Sequence, residues 1–278
     1  GFVDFNRPMV AINQWEQAED SMYTLCGKDR IHPSTDGHLV MAYLFLKAQG
    51  LAGKPVADIR IDGAGKKVTR SDNCRVSDLS VSSDNLTFTY EAKSLPYPID
   101  TSYYDNEKHT QADALSVIPF MDEMNYEGLS VSGLSDGYYG LTIGGEFIGR
   151  FTARELERGI NMALLQNTPQ YKQAMKIRQM NEERWLKERK MREFYWVEYN
   201  LMRKTGMLWA CNEAAVDTLR KYRPHDIFLQ WNGALWLQYM HKGIREDCVN
   251  EQQDLVNQIY EQNKPIPLQI EIKKFTDL

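Results

Sequence analysis

The chain has 278 residues, of which 42% are hydrophobic and 26% charged, and its formal net charge is -5. This composition suits about two domains of roughly 150 residues and excludes wholesale disorder. No domain-wide basic excess points to nucleic acid, and no apolar run reaches the ~18 residues of a membrane span.

Residues 2–5, "FVDF", are expected to form a short strand that Asn6-Arg7-Pro8 breaks. "MVAINQWEQAED" carries helical periodicity, and "SMYTLCGKD" reads as a loop. Pro33 is a natural first helical residue, because its missing N–H has no intrahelical partner in any case. The helix after it, through Leu39, Val40, Tyr43, Leu44 and Phe45, is apolar nearly all round and is expected to be buried. Gly50 suits its C-terminal cap.

From Lys54 to Phe151 the pattern becomes β. "VADIRID" and "LTFTY" alternate, and "DGAGKK" reads as a hairpin turn, being too short and basic for a calcium loop. "YYGLTI" and "EFIGRF" flank Gly144-Gly145, a two-residue turn that needs positive φ. Between them, residues 94–125 read as a long connection with a short helix in its middle. Thr152 and Glu155 match a capping box, and Thr168-Pro169 opens a long helix to about Lys204. Its Lys, Arg and Glu residues, spaced i,i+4, read as a solvated, ion-pair-laced face. Helices over "WACNEAAVDTLRKY", "IFLQWNGALWLQYMHKG" and "DCVNEQQDLVNQIYEQN" follow. The tail "PLQIEIKKF" alternates and reads as a final strand returning to the β region.

The chemistry concentrates in "GKDRIHPSTDGH". A hydroxyl attacks an acyl carbon only when a neighbouring base takes its proton. Histidine suits that role, and an acceptor on its other ring nitrogen fixes tautomer and orientation. Asp29 precedes His32 by three residues, so a tight turn can return its carboxylate to the ring. On spacing alone the pair also fits a turn capped by Asp29 with His32 as a plain surface residue.

"DRIHPSTDGHLVMAYLFLKAQGL" resembles the last block of the SGNH, or GDSL-type, hydrolases, in which D-x-x-H-P precedes the final helix of a flavodoxin-like α/β fold. "GFVDFNRPM" looks like the last parallel strand of that fold. "GLSDGYYGLTIGGEFIGRFTARELERGINMA" is similar to an accessory region of a bacterial subgroup. The resemblance implies that His32 is the general base and Asp29 its orienter, with no cofactor. It also implies a Ser from a G-D-S block and oxyanion donors from two middle blocks, none of which this chain contains. "LSDG" at 134–137 and "SSDN" at 82–85 lie outside the family's order, so the nucleophile is expected upstream of Gly1 or from another polypeptide.

The expected architecture is α/β with β and helical extensions. Residues 1–52 would be the end of the SGNH domain, 53–151 a small β-sandwich-like accessory domain, and 152–278 a helical region with a final strand. Residues 1–52 cannot bury their own apolar helix, so the β and helical regions, a second copy of the chain or the missing hydrolase segment must cover it, and self-association is expected. The resemblance implies an ester substrate, an acylated carbohydrate. The "LQWNGALWLQYMHK" stretch is expected to pack in a core, and Trp231 and Asn232 become candidate walls of the cleft if the extension covers its mouth. The alternative from another class is a non-catalytic module that binds carbohydrate or protein. Asp36-Gly37-His38 lacks a third ligand for zinc, and Cys26, Cys74, Cys211 and Cys248 form no metal or disulfide pattern.

Overall fold

The computed structural model describes residues 1–102 and 109–275, so part of the expected 94–125 connection lies outside the described residues. In chain order the first elements are α1 (Asn6–Glu16), α2 (Thr35–Ala48), β1 (Ala57–Asp62), β2 (Lys67–Asp72), β3 (Cys74–Val81) and β4 (Asn85–Ala92). Then come a 3-10 turn (Gln111–Ser116), α3 (Phe120–Glu123), β5 (Glu127–Ser132), β6 (Tyr138–Ile143), β7 (Glu146–Thr152), α4 (Ala153–Arg158) and β8 (Ile160–Asn161). The chain continues through α5 (Pro169–Val197), a π-helical turn (Glu198–Met202), α6 (Glu213–Tyr222), α7 (Ile227–Tyr239) and α8 (Lys242–Gln262), and ends on β9 (Leu268–Lys274). The content is mixed α/β, with two sheets and a helical region. Contacts divide it into one unit of Gly1–Met175 with the tail from Lys264, and a second of Lys176–Asn263.

In the first unit, a four-stranded sheet runs β2-β1-β5-β8 and a five-stranded sheet runs β3-β4-β9-β6-β7. Alternation decides what they bury. Ile59, Ile61, Leu129 and Val131 of one sheet share a core with Leu86, Phe88, Tyr90, Leu141, Ile143, Ile270 and Ile272 of the other. Apolar burial of this kind is worth about 1.5–3 kcal/mol for each large side chain. The expected tail strand forms, and as β9 it pairs with both β4 and β6. The Gly144-Gly145 turn also forms: Ile143 pairs with Glu146, and the two glycines take φ 59° and 83°.

Two local expectations change. Phe2–Phe5 form no strand, since a strand needs a neighbour for its N–H and C=O groups. Instead Asp4 accepts the Arg7 N–H, and Asn6, Arg7 and Pro8 start α1, where a proline in the first turn forfeits no intrahelical bond. Helix α2 begins two residues after Pro33 and is buried on one face only. Leu39, Val40 and Tyr43 pack with Ile99, Ala114, Ile118 and Phe120, while Phe45 is half exposed. The Tyr43 hydroxyl donates to Glu123 (2.7 Å) and Lys47 to the same carboxylate oxygen (2.9 Å), which ties α2 to α3.

The second unit is helical. Phe194, Val197, Leu201, Leu219, Leu229, Trp236 and Cys248 form its core. Buried Glu198, in the π-helical turn, accepts from the Trp236 indole N–H and the Trp209 backbone N–H, both at 2.8 Å. The expected charged face of α5 carries the i,i+4 pairs Arg189–Glu193 and Arg192–Glu188.

Candidate active site

The Asp29–His32 loop is closed at its base. Cys26 and Pro33 form an isolated antiparallel bridge. Its rungs are Gly27 N to His32 O (2.8 Å) and Ser34 N to Leu25 O (3.0 Å). Within the loop, Arg30 N donates to Gly27 O (2.9 Å), and Arg30 takes the left-handed φ of 57°. Asp29 Oδ1 accepts the backbone N–H of Ile31 (2.9 Å) and of His32 (3.1 Å), an Asx turn. Asp29 Oδ2 lies 2.6 Å from His32 Nδ1.

A carboxylate only accepts, so the proton of that bond sits on Nδ1. In neutral His32 the Nε2 lone pair is then the available base. The His32 hydrogen bond, followed by the two backbone N–H groups, holds the Asp29 carboxyl down at about 2. Asp29 is therefore ionised at neutral pH and suited to orienting an imidazole and stabilising its protonated form. The His32 side chain is 83% exposed.

The loop is pinned to the start of α2. The Ser34 hydroxyl bonds to Leu25 O and to the buried Asp36 carboxylate, which also accepts the Gly37 N–H (2.8 Å). Gly37 passes so close to Leu25 that a Cβ would lie 2.0 Å from the Leu25 carbonyl oxygen. Only glycine permits that approach. His38 Nδ1 donates to Ser34 O (3.0 Å), and His109 Nδ1 lies 3.5 Å from Asp36 Oδ2. Asp36 and His38 are thus each engaged by Ser34, the one through its hydroxyl and the other through its carbonyl. Among the described residues no group of three or more potential ligands is placed to hold a metal.

Residues 1–52 carry exposed apolar side chains, among them Phe2, Trp15, Met22, Ile31 and Phe45, with Trp15 at 80% and Ile31 at 75%. Trp231 and Asn232 lie on α7 in the second unit, and Asp29 and His32 in the first. Trp231 is 66% exposed and meets Phe228 edge to face, with ring centroids 5.4 Å apart, and Asn232 is half-buried.

Sequence reasoning missed three features. Trp209 takes a left-handed φ of 62°. Cys211 and His241, 30 positions apart, meet at 3.3 Å. Glu127 is fully buried on β5, and the available signal was a carboxylate opening the strand "EGLSVS", which carries no other charge.

Residues 175–264 match the family model of the diltiazem deacetylase C-terminal helical domain. A solved structure described as "BT4096 a gut microbial diltiazem-metabolizing enzyme" matches with a TM-score of 0.93 and 42% sequence identity. That match covers 99% of this chain and 62% of the other, so this chain spans less than two-thirds of the length of the protein it resembles. No curated protein matches. The chain is thus similar over nearly all its length to part of a diltiazem-metabolizing enzyme, and over 175–264 to the helical domain of a deacetylase.

Proposed function

We propose that this chain is the C-terminal part of an SGNH-type ester hydrolase, with His32 as general base and Asp29 as the residue that orients it. The observation that carries the reading is the 2.6 Å Asp29–His32 bond inside a loop closed by the Cys26–Pro33 bridge. It is the half of a triad that sets tautomer and orientation. A deacetylase breaks an acetyl ester or amide, so the likeness of 175–264 to a deacetylase domain supports acyl transfer to water. In this reading residues 1–52 end a flavodoxin-like hydrolase domain, 53–151 are the β-rich accessory domain and 152–278 the helical region with its final strand. The serine and oxyanion donors come from sequence outside these 278 residues. The apolar groups exposed on residues 1–52 support such a covering segment, and self-association of the isolated chain would follow from the same surface.

The substrate is an O-acyl ester, and an acylated carbohydrate is the class implied by the sequence resemblance. In the test, the protein carrying this chain together with its nucleophile segment is assayed with p-nitrophenyl acetate, an acetylated oligosaccharide and diltiazem. Acetate release from the oligosaccharide supports the carbohydrate class, and release from diltiazem alone replaces it with a small aryl-bearing ester. The variant His32→Ala is expected to lower kcat by at least ~10³, the scale on which a triad base acts. Undiminished hydrolysis by that variant removes His32 from the mechanism, and binding of acylated glycan with no hydrolysis by the wild type would favour a non-catalytic module.

A further inference from the structure

We propose that Cys211 is a reactive thiol, activated by His241 and oxidised by small hydroperoxides. Cys211 Sγ lies 3.3 Å from His241 Nδ1. A thiol beside an imidazole nitrogen has a base within reach of its proton, the arrangement that makes cysteine a nucleophile. Cys211 is also the one exposed thiol among the four, since Cys74 and Cys248 are buried and Cys26 is half-buried.

The local fold brings the pair together from two directions. Cys211 directly precedes Asn212, whose side chain accepts the Ala215 N–H and starts α6. His241 is the N-cap residue of the 21-residue α8, yet its side chain makes no capping bond to that helix. It faces Cys211 instead. Both residues therefore adjoin helix N-termini, whose partial positive charge favours a sulfur that loses its proton during attack. Upstream, Trp209 holds its left-handed turn through the backbone bond to buried Glu198, which fixes the chain two residues before the thiol. A non-glycine residue held at positive φ is a costly feature that surrounding structure must impose.

The step balances. His241 Nδ1 takes the thiol proton as Sγ attacks one peroxide oxygen. The S–O bond forms, the O–O bond breaks, and the leaving hydroxide takes the proton back from His241 as water. Sulfur loses two electrons to the peroxide and ends as the sulfenic acid, a reversible state that thiols restore. The reaction is independent of the esterase reading, because none of its groups belongs to the Asp29–His32 loop.

The 278-residue chain is treated at pH 7 with hydrogen peroxide and dimedone, and sulfenic-acid adducts are quantified per cysteine by peptide mass spectrometry. The expected result is Cys211 labelling at least ~10-fold faster than Cys26 and than free cysteine in the same tube. His241→Gln is expected to slow Cys211 by ~10²-fold, the low end of general-base catalysis, and to leave Cys26 unchanged. Equal Cys211 rates in wild type and His241→Gln overturn the proposal. Should that variant fail to fold, as judged by circular dichroism, the wild-type comparison decides: labelling of Cys211 no faster than free cysteine overturns it as well.

Discussion

Two carboxylates in the first unit show how region sets the work of a side chain. Asp29 sits on an exposed loop, accepts three hydrogen bonds and is held down at about 2. Glu127 sits in the core, with Tyr90 (2.8 Å) and Gln170 (3.3 Å) donating to one oxygen and no hydrogen-bond partner on the other. Burial is the dominant cause there and pushes Glu127 up to about 7 against those two bonds. The loop stabilises the charged carboxylate, and the core penalises it. Removing the first carboxylate should alter reaction and spare the fold, and neutralising the second should do the reverse.

Under the proposed esterase reading, the sharpest way to break this contrast is Asp29→Asn in the protein that carries the nucleophile. An amide at this position accepts with one atom and donates with the other, so it can favour the wrong imidazole tautomer. The expected loss in kcat is ~10³–10⁴-fold, with an unchanged thermal midpoint. Retained activity would make the loop bond ornamental. Next in size is Glu127. Its folded value of about 7 exceeds the ordinary 4.5, so between those pH values the folded state binds more protons than the unfolded state. Stability is then fully present below pH 4.5 and falls as pH rises through about 7. At about 1.4 kcal/mol per pH unit the loss is on the order of 3 kcal/mol. Urea unfolding of wild type and Glu127→Gln at pH 4.5 and 8 measures it. Parallel behaviour of the two proteins would mean that Glu127 is better solvated than its position implies.

Gly37→Ala joins the two regions, because it strains the fold in order to disturb the site. The new methyl would meet the Leu25 carbonyl at 2.0 Å, so the start of α2 must move from the Cys26–Pro33 bridge. Overpacking of this kind costs about 1–3 kcal/mol. Esterase activity should fall further than Tm alone would explain. A variant as stable and active as wild type would show that the bridge does not position His32.

What the sequence revealed follows from distance along the chain. Asp29 and His32 are three residues apart, and the Gly144-Gly145 turn and the Thr152 capping box are equally local, so residue type and spacing foretold their geometry. The alternation of Leu268, Ile270 and Ile272 foretold a strand, although its place between β4 and β6 rests on pairings about 180 positions apart in one case and 130 in the other. Phe2, Val3 and Phe5 of "FVDF" satisfied β propensity but found no neighbouring strand, and propensity without a partner does not make a strand. Helix α2 reads as apolar all round, yet one face remains open, because composition says what a surface prefers and not what covers it. Glu127, Tyr90 and Gln170 meet from three separate elements, and Cys211 meets His241 across two helices. No spacing rule announces such pairs.

The smallest expected effect tests a third kind of carboxylate, half-buried between the exposed Asp29 and the buried Glu127, and structural like the latter. Glu155 accepts from the Thr152 backbone N–H (2.7 Å) and hydroxyl (2.7 Å), and the Thr152 hydroxyl accepts the Glu155 N–H (3.1 Å). The Thr152 hydroxyl bond is the largest cause of a lowered Glu155 value. The bonds therefore favour the folded state above the ordinary carboxylate range and lose that contribution as pH falls and Glu155 is protonated. Thr152→Ala removes the cap of α4 and should cost about 1 kcal/mol at pH 7, read by urea unfolding. The cost should shrink at pH 3, the opposite direction to Glu127. A loss that is the same at both pH values would mean that the hydroxyl alone caps the helix and that the carboxylate contributes nothing through its charge.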